Sequence, residues 1–167
     1  MRIEDIFGEV YKQVVENQKT ESYDNWKFHD EETIESDFSE YKNKEKRKWE
    51  TRANSMGFRF PIFNTIEDYK ESLNSASIIT LDDNTWDSVE HMSYNDSIEN
   101  IKLMVSSYTV PRDVDRIVDG IENNNPIPYP VILKGNNGLF IMSGNTRSNV
   151  ARVLGSTPKA LLLDVSE

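Results

Sequence analysis

The stretch from Leu139 to Gly155 constrains the fold of this chain more than any other. Leu139-Phe140-Ile141-Met142 reads as a short buried strand, and Ser143-Gly144-Asn145 opens directly into a helix that ends at Gly155. Gly144 can take a backbone conformation closed to other residues, and Asn145 or Thr146 can cap the helix. The first turn of such a helix has unpaired N–H groups and a partial positive charge. Arg147 adds a planar, permanently charged fork at the same place. This arrangement predicts a phosphate or other anion site. The same residues also fit an ordinary strand-to-helix turn with a surface arginine, so the motif alone leaves both readings open.

Periodicity organises the rest of the chain. Ile3, Ile6, Phe7, Val10, Tyr11, Val14 and Val15 put one apolar stripe on a helix over Ile3–Asn17. Asp30–Glu50 is helical in composition, with Ile34, Phe38 and Tyr41 on one face. Gly57 and Pro61 punctuate an extended aromatic segment, Phe58 to Phe63, and Thr65 with Asp68 opens a short helix through Leu73. Ser77–Leu81 reads as a strand ending at Asp82-Asp83-Asn84, and Ser97–Ser107 as a helix. Pro111 fits the first turn of a further helix carrying Val114, Ile117, Val118 and Ile121 at helical spacing. Val131–Leu133 and Leu139–Met142 are strands joined at Lys134–Gly138, and Ala160–Leu163 is a last strand after Pro158. The expected organisation is α+β: a mainly helical region over 1–76 and a compact module over 77–167.

The charge balance bears on partners. The net charge is −10, with 13 Lys+Arg against 23 Asp+Glu in residues 1–108 and 6 against 6 in residues 109–167. The acidity therefore lies away from Gly144–Arg147, and it disfavours broad, sequence-independent DNA binding. No apolar run approaches the roughly 20 residues that span a bilayer. The start, Met1-Arg2-Ile3-Glu4-Asp5, lacks a signal-like apolar segment, and there are no cysteines. A cytoplasmic protein without membrane partners is expected.

The order of helix, Pro-Ile strand, hairpin, Gly-x-x-Arg turn, helix, glycine, proline and strand resembles the N-terminal domain shared by ParB-type partition proteins and sulfiredoxins. The residues that carry the likeness are Val114–Glu122, Pro126–Leu133, Leu139–Arg147 and Val150–Leu163. The resemblance implies a ParB/sulfiredoxin-like module with a helical N-terminal extension. It also implies nucleotide phosphates held at Ser143, Gly144, Asn145, Thr146 and Arg147, with Pro126 and Ile127 in the pocket segment. ATP or CTP with Mg²⁺ would be the cofactors. The chain departs from the family in lacking a second arginine between Gly144 and Arg147 and in lacking the cysteine of sulfiredoxin chemistry.

Phosphoryl transfer or NTP hydrolysis also needs a carboxylate to orient or deprotonate the nucleophile. Glu122 is the first candidate and Asp119, one turn earlier, the second; Asp115, Asp82 and Asp83 are further acids. A solvated helix face accounts for Asp115, Asp119 and Glu122 equally well. Arg152, five residues beyond Arg147, is a further candidate for holding an anion. His29 and His91 are the only histidines, without metal-ligand spacing, and the metal ligands stay unassigned. No P-loop and no Gly-x-Ser-x-Gly is present.

The basic run Lys42–Arg52 could contact nucleic acid or the phosphates of a ligand, with Trp49 available for stacking, or could be a solvated, salt-bridged helix face. The functional expectation is a nucleotide-binding, kinase-like or NTPase protein acting on a small-molecule or DNA acceptor. The alternatives are a non-catalytic nucleotide-regulated module and a nuclease-like or base-modifying protein.

Overall fold

A computed structural model describes residues 23–44, 46–90, 92–108 and 111–167. The expected helix over Ile3–Asn17 lies outside the described residues, as does His91. The described residues form a mixed α+β protein of seven helices and seven strands. In chain order these are β1 (Trp26–Lys27), α1 (Glu31–Asn43), α2 (Lys46–Met56), α3 (Ile66–Asn74), β2 (Ser77–Thr80), α4 (Asp83–Ser88) and β3 (Val89–Glu90). They continue as α5 (Ile98–Ser106), α6 (Val114–Glu122), β4 (Ile127–Pro128), β5 (Val131–Gly135), β6 (Gly138–Ser143), α7 (Asn145–Val153) and β7 (Lys159–Asp164).

Local capping chemistry sets most helix starts. Asp30, Thr65, Asp82, Ser97 and Asp113 each accept a first-turn N–H through the side chain, and Thr65 with Asp68 completes a capping box. Two boundaries differ from expectation. Pro111 precedes α6, which Asp113 caps, because a side-chain acceptor two residues later supplies the stronger start. Asp82-Asp83-Asn84 is not merely a turn after β2: Asp82 accepts from Thr85 N and opens the short helix α4.

The five-stranded sheet has the order β2-β7-β5-β6-β3. The central pair β5 and β7 is parallel, as is the edge pair β3 and β6, and the others are antiparallel. The continuous apolar run Val131-Ile132-Leu133 suits a strand buried on both faces, and all three residues are inaccessible to solvent. The hairpin tip docks on the end of α2, where Asn136 N and Asn137 N donate to the carbonyls of Gly57 and Met56 at 2.9 Å each. A Cβ at Gly135 would run into the Met56 carbonyl, which is why glycine stands there.

One core spans the residue 76/77 boundary. Tyr41 packs edge-on against Trp49 (5.2 Å) and Phe63 (5.4 Å), and Trp49 packs edge-on against Phe140 of β6 (5.8 Å). The Tyr41 hydroxyl accepts from Ile62 N and Phe63 N at 2.9 and 3.3 Å, so the aromatic segment after Gly57 is anchored at both its rings and its backbone. β1 adds a second tie by pairing in parallel with β4, Trp26 opposite Ile127 and Lys27 opposite Pro128.

Candidate functional site

A cleft of about 1020 Å³ opens between α1, α6, the Asn125–Pro128 segment and the Ser143–Arg147 turn. Every residue assigned to phosphate or nucleotide binding from the sequence lines it: Pro126, Ile127, Ser143, Gly144, Asn145, Thr146 and Arg147. These arrive from separate places because β5 and β6 form a hairpin and β4 runs directly into β5.

The turn itself is built around Gly144. It caps α7 in the left-handed region, φ 92°, and no side chain caps that helix end. The N–H groups of Asn145, Thr146 and Arg147 have no acceptor among the described residues, as the start of a helix dictates. Asn145 does not act as the cap expected of it. Its Oδ1 accepts from Ser93 N (3.1 Å), its Nδ2 donates to Ser93 Oγ (2.8 Å), and Asn149 Nδ2 donates to the same Oδ1 (3.0 Å). Thr146 is buried and does not cap either. A side chain on Gly144 would collide with Arg147 Cζ at 2.8 Å and with Pro130 at 2.8–2.9 Å.

Arg147 is neither a surface arginine nor a freely swinging one. Its Nε donates to the Pro128 carbonyl and its Nη2 to the Tyr129 carbonyl, both at 2.8 Å, with Ser143 Oγ at 3.4 Å. One edge of the guanidinium is thereby locked on the backbone, and Nη1 keeps its donors uncommitted among the described residues. Burial pulls the guanidinium below arginine's ordinary range, and the Asp37 charge pulls in the opposite direction. The group stays cationic, as a guanidinium does in proteins.

Asp37 balances that charge, and reading the sequence missed it. It is 9% exposed, the one buried acidic side chain among the described residues, and it lies in the cleft wall. Its Oδ1 accepts from Ser143 Oγ at 2.8 Å and its Oδ2 from the Tyr69 hydroxyl at 3.0 Å. His29 Nδ1 stands 3.2 Å from Oδ2, an ion-pair distance without hydrogen-bond alignment, while His29 Nε2 donates to the Tyr129 carbonyl at 2.7 Å. Burial pushes the Asp37 carboxyl up, but His29, Arg147 and Ser143 together hold it below the usual carboxylate range. Tyr69 is pushed upward by burial and by Asp37, so its hydroxyl remains a donor. A signal existed: Asp37 shares the buried face of α1 with Ile34 and Tyr41, where an acid needs a partner. No local pattern singles out His29.

The other candidates separate. Asp119 lines the cleft, whereas Glu122 is exposed at the end of α6 and does not. Asp115 pairs with Lys102 at 2.7 Å. Arg152, five residues along α7 and so on another face, pairs with Asp83 at 3.1 Å and stacks on Trp86 at 4.5 Å, away from the cleft. Trp49 is 2% exposed and covered by Lys44 and Arg52, so it offers no ring to a base; its apolar face is taken by the core. Cations on the cleft wall are Lys27, Lys44, Arg112, Arg116 and Arg147, interspersed with acids. Arg112 is paired to Glu40 at 3.1 Å, whereas Arg116 has no ion pair among the described residues. No three acidic or histidine side chains converge as a metal-holding group among the described residues.

No family model, curated protein or solved structure matches the chain. No helix among the described residues is long and apolar enough to cross a membrane.

Proposed function

We propose that the cleft binds a nucleotide or similar phosphorylated small molecule, with a phosphate at the start of α7. One observation carries this reading: the uncapped helix end at Gly144, with its three unpaired N–H groups, opens on the cleft beside an arginine already locked in place. An anion there would meet donors that need no reorganisation. Arg116 on the facing wall adds uncommitted charge. The cleft volume also suits a nucleotide-sized ligand.

The strand–hairpin–turn–helix–strand order of β4 to β7 supports assigning this part of the chain to the ParB/sulfiredoxin-like group. ATP or CTP is the ligand that assignment favours. A magnesium ion carried by the phosphates needs only one or two protein carboxylates, and Asp119 in the wall offers one. In a phosphoryl transfer or hydrolysis reaction the α7 N–H groups and Arg147 would stabilise charge on the transferred group, and a wall carboxylate would orient the nucleophile. A cytoplasmic setting accords with this chemistry.

A non-catalytic, nucleotide-regulated module is the second reading, favoured by the position of Glu122 outside the cleft. The DNA-acting reading loses its stacking residue, because Trp49 is buried. Calorimetric titration with ATP, CTP and their diphosphates, with and without magnesium, tests the proposal. Saturable binding abolished by Gly144→Ala is expected, and absence of binding by every nucleotide refutes it. Turnover of bound nucleotide then separates the catalytic reading from the regulatory one.

A further inference from the structure

We propose that Ser143 is a phosphoryl acceptor in the cleft, with Asp37 as the base that takes its hydroxyl proton and a bound nucleoside triphosphate as the donor. This role rests on the nucleotide reading of the cleft and gives that reading a nucleophile. Ser143 is half-buried and immediately precedes Gly144 and the N–H groups of α7 that are proposed to hold a phosphate. Its Oγ donates to Asp37 Oδ1 at 2.8 Å, and Arg147 Nη2 donates to the same Oγ at 3.4 Å. The other carboxylate oxygen, Oδ2, accepts the Tyr69 hydroxyl at 3.0 Å and faces His29 Nδ1 at 3.2 Å. Oδ1 is thereby turned to the serine, and Asp37, Ser143 and Arg147 all line the cleft.

A serine hydroxyl becomes a nucleophile when a base stands ready for its proton. Protein kinases set an aspartate against the acceptor hydroxyl in the same relation. Burial alone would raise the Asp37 carboxyl, but His29, Arg147 and Ser143 outweigh it and keep the group ionised. In the transfer, Ser143 Oγ bonds to the γ-phosphorus and the hydroxyl proton passes to Asp37 Oδ1. The bond from that phosphorus to the bridging oxygen breaks, and its electron pair leaves on the nucleoside diphosphate. A loose transition state lets the proton move late, when the hydroxyl has become acidic, so a carboxylate of low basicity suffices. The phosphoserine formed would stand before the start of α7 and beside the Arg147 guanidinium, where its charge is stabilised.

The test incubates the whole chain with ATP or CTP and magnesium chloride and quenches it in acid at times from milliseconds to hours. Phosphopeptide mass spectrometry locates the phosphate, and calorimetry on the same preparation reports nucleotide binding. Phosphoserine at position 143 is expected, formed at a rate independent of protein concentration, and Ser143→Ala should take up no phosphate. Asp37→Asn, assayed at a temperature where circular dichroism shows it folded, should slow formation at least about a hundredfold. If Asp37→Asn folds at no temperature, the labelling of wild-type Ser143 decides alone. Nucleotide bound without phosphate on Ser143 at any quench time overturns the acceptor role and spares the nucleotide reading, whereas no binding at all overturns both. Phosphate found only on another residue, or an undiminished rate in folded Asp37→Asn, also overturns it.

Discussion

Asp37 Oδ1 accepts the Ser143 hydroxyl at 2.8 Å across 106 residues of chain, joining α1 to the last residue of β6. That bond brings a buried carboxylate beside the turn that starts α7, and the same carboxylate holds Tyr69 and faces His29. Asp37→Asn keeps the size of the side chain but removes its charge, taking the acidic partner from His29 and the largest negative charge acting on Arg147. Losing one member of a buried charged pair destabilises by about 3 kcal/mol or more. Urea unfolding should show a lower midpoint at unchanged slope. A midpoint equal to wild type would mean that the cluster is not electrostatically coupled.

Acid should act through the same residue. The Asp37 carboxyl lies below its unfolded value of 3.8, and Asp30, held by Thr33 and Lys27, is lowered to about 2. A depressed carboxyl contributes stability that is fully present above the unfolded value and is lost as pH falls through the folded one. Unfolding free energy should therefore decline below about pH 4, and Asp37→Asn should flatten that decline. Urea titrations at neutral pH and at a series of values below 4 would check it, and an identical acid limb in the variant would contradict it.

Gly144→Ala should damage both fold and site. The left-handed backbone there strains any other residue by roughly 1–2 kcal/mol. The added Cβ also pushes on Arg147 Cζ and Pro130. A loss of about 2 kcal/mol or more is expected, together with loss of phosphate binding. Stability measured by urea and affinity measured by calorimetry should fall together.

For Arg147→Ala the sequence suggests weakened anion binding with an intact fold. The structure changes the second half of that expectation, because Arg147 donates to two backbone carbonyls. Removing it should cost about 1.5–3 kcal/mol in stability and at least about tenfold in nucleotide affinity. Arg147→Lys restores charge without the fork and should recover only part of either. Full nucleotide affinity in Arg147→Ala would remove this residue from the site.

If nucleotide turnover is found, Asp119→Asn should reduce it and Glu122→Gln should not, since only Asp119 lines the cleft. Parallel rate measurements on the two variants decide the point. A large loss in Glu122→Gln alone would return the catalytic role to the end of α6.

The elements that depend on neighbours a few residues apart were legible in the sequence. The apolar stripe of Val114–Ile121, the Thr65–Asp68 capping box, the glycine opening α7 and the strands around it all reappear. Their causes are short-range: helical spacing, side-chain caps and left-handed glycine. Tertiary structure alone decided what those elements meet. The pairing of Trp26 with Ile127, the contact of His29 with Tyr129 and the bond between Asp37 and Ser143 join residues about 100 positions apart. Trp49 carries the composition of a stacking residue, but the core takes its ring, and Arg147 carries that of a surface ligand, but two carbonyls take its edge. A side chain's chemistry is local, whereas the acceptors and charges it faces are fixed only when distant segments pack and water is excluded.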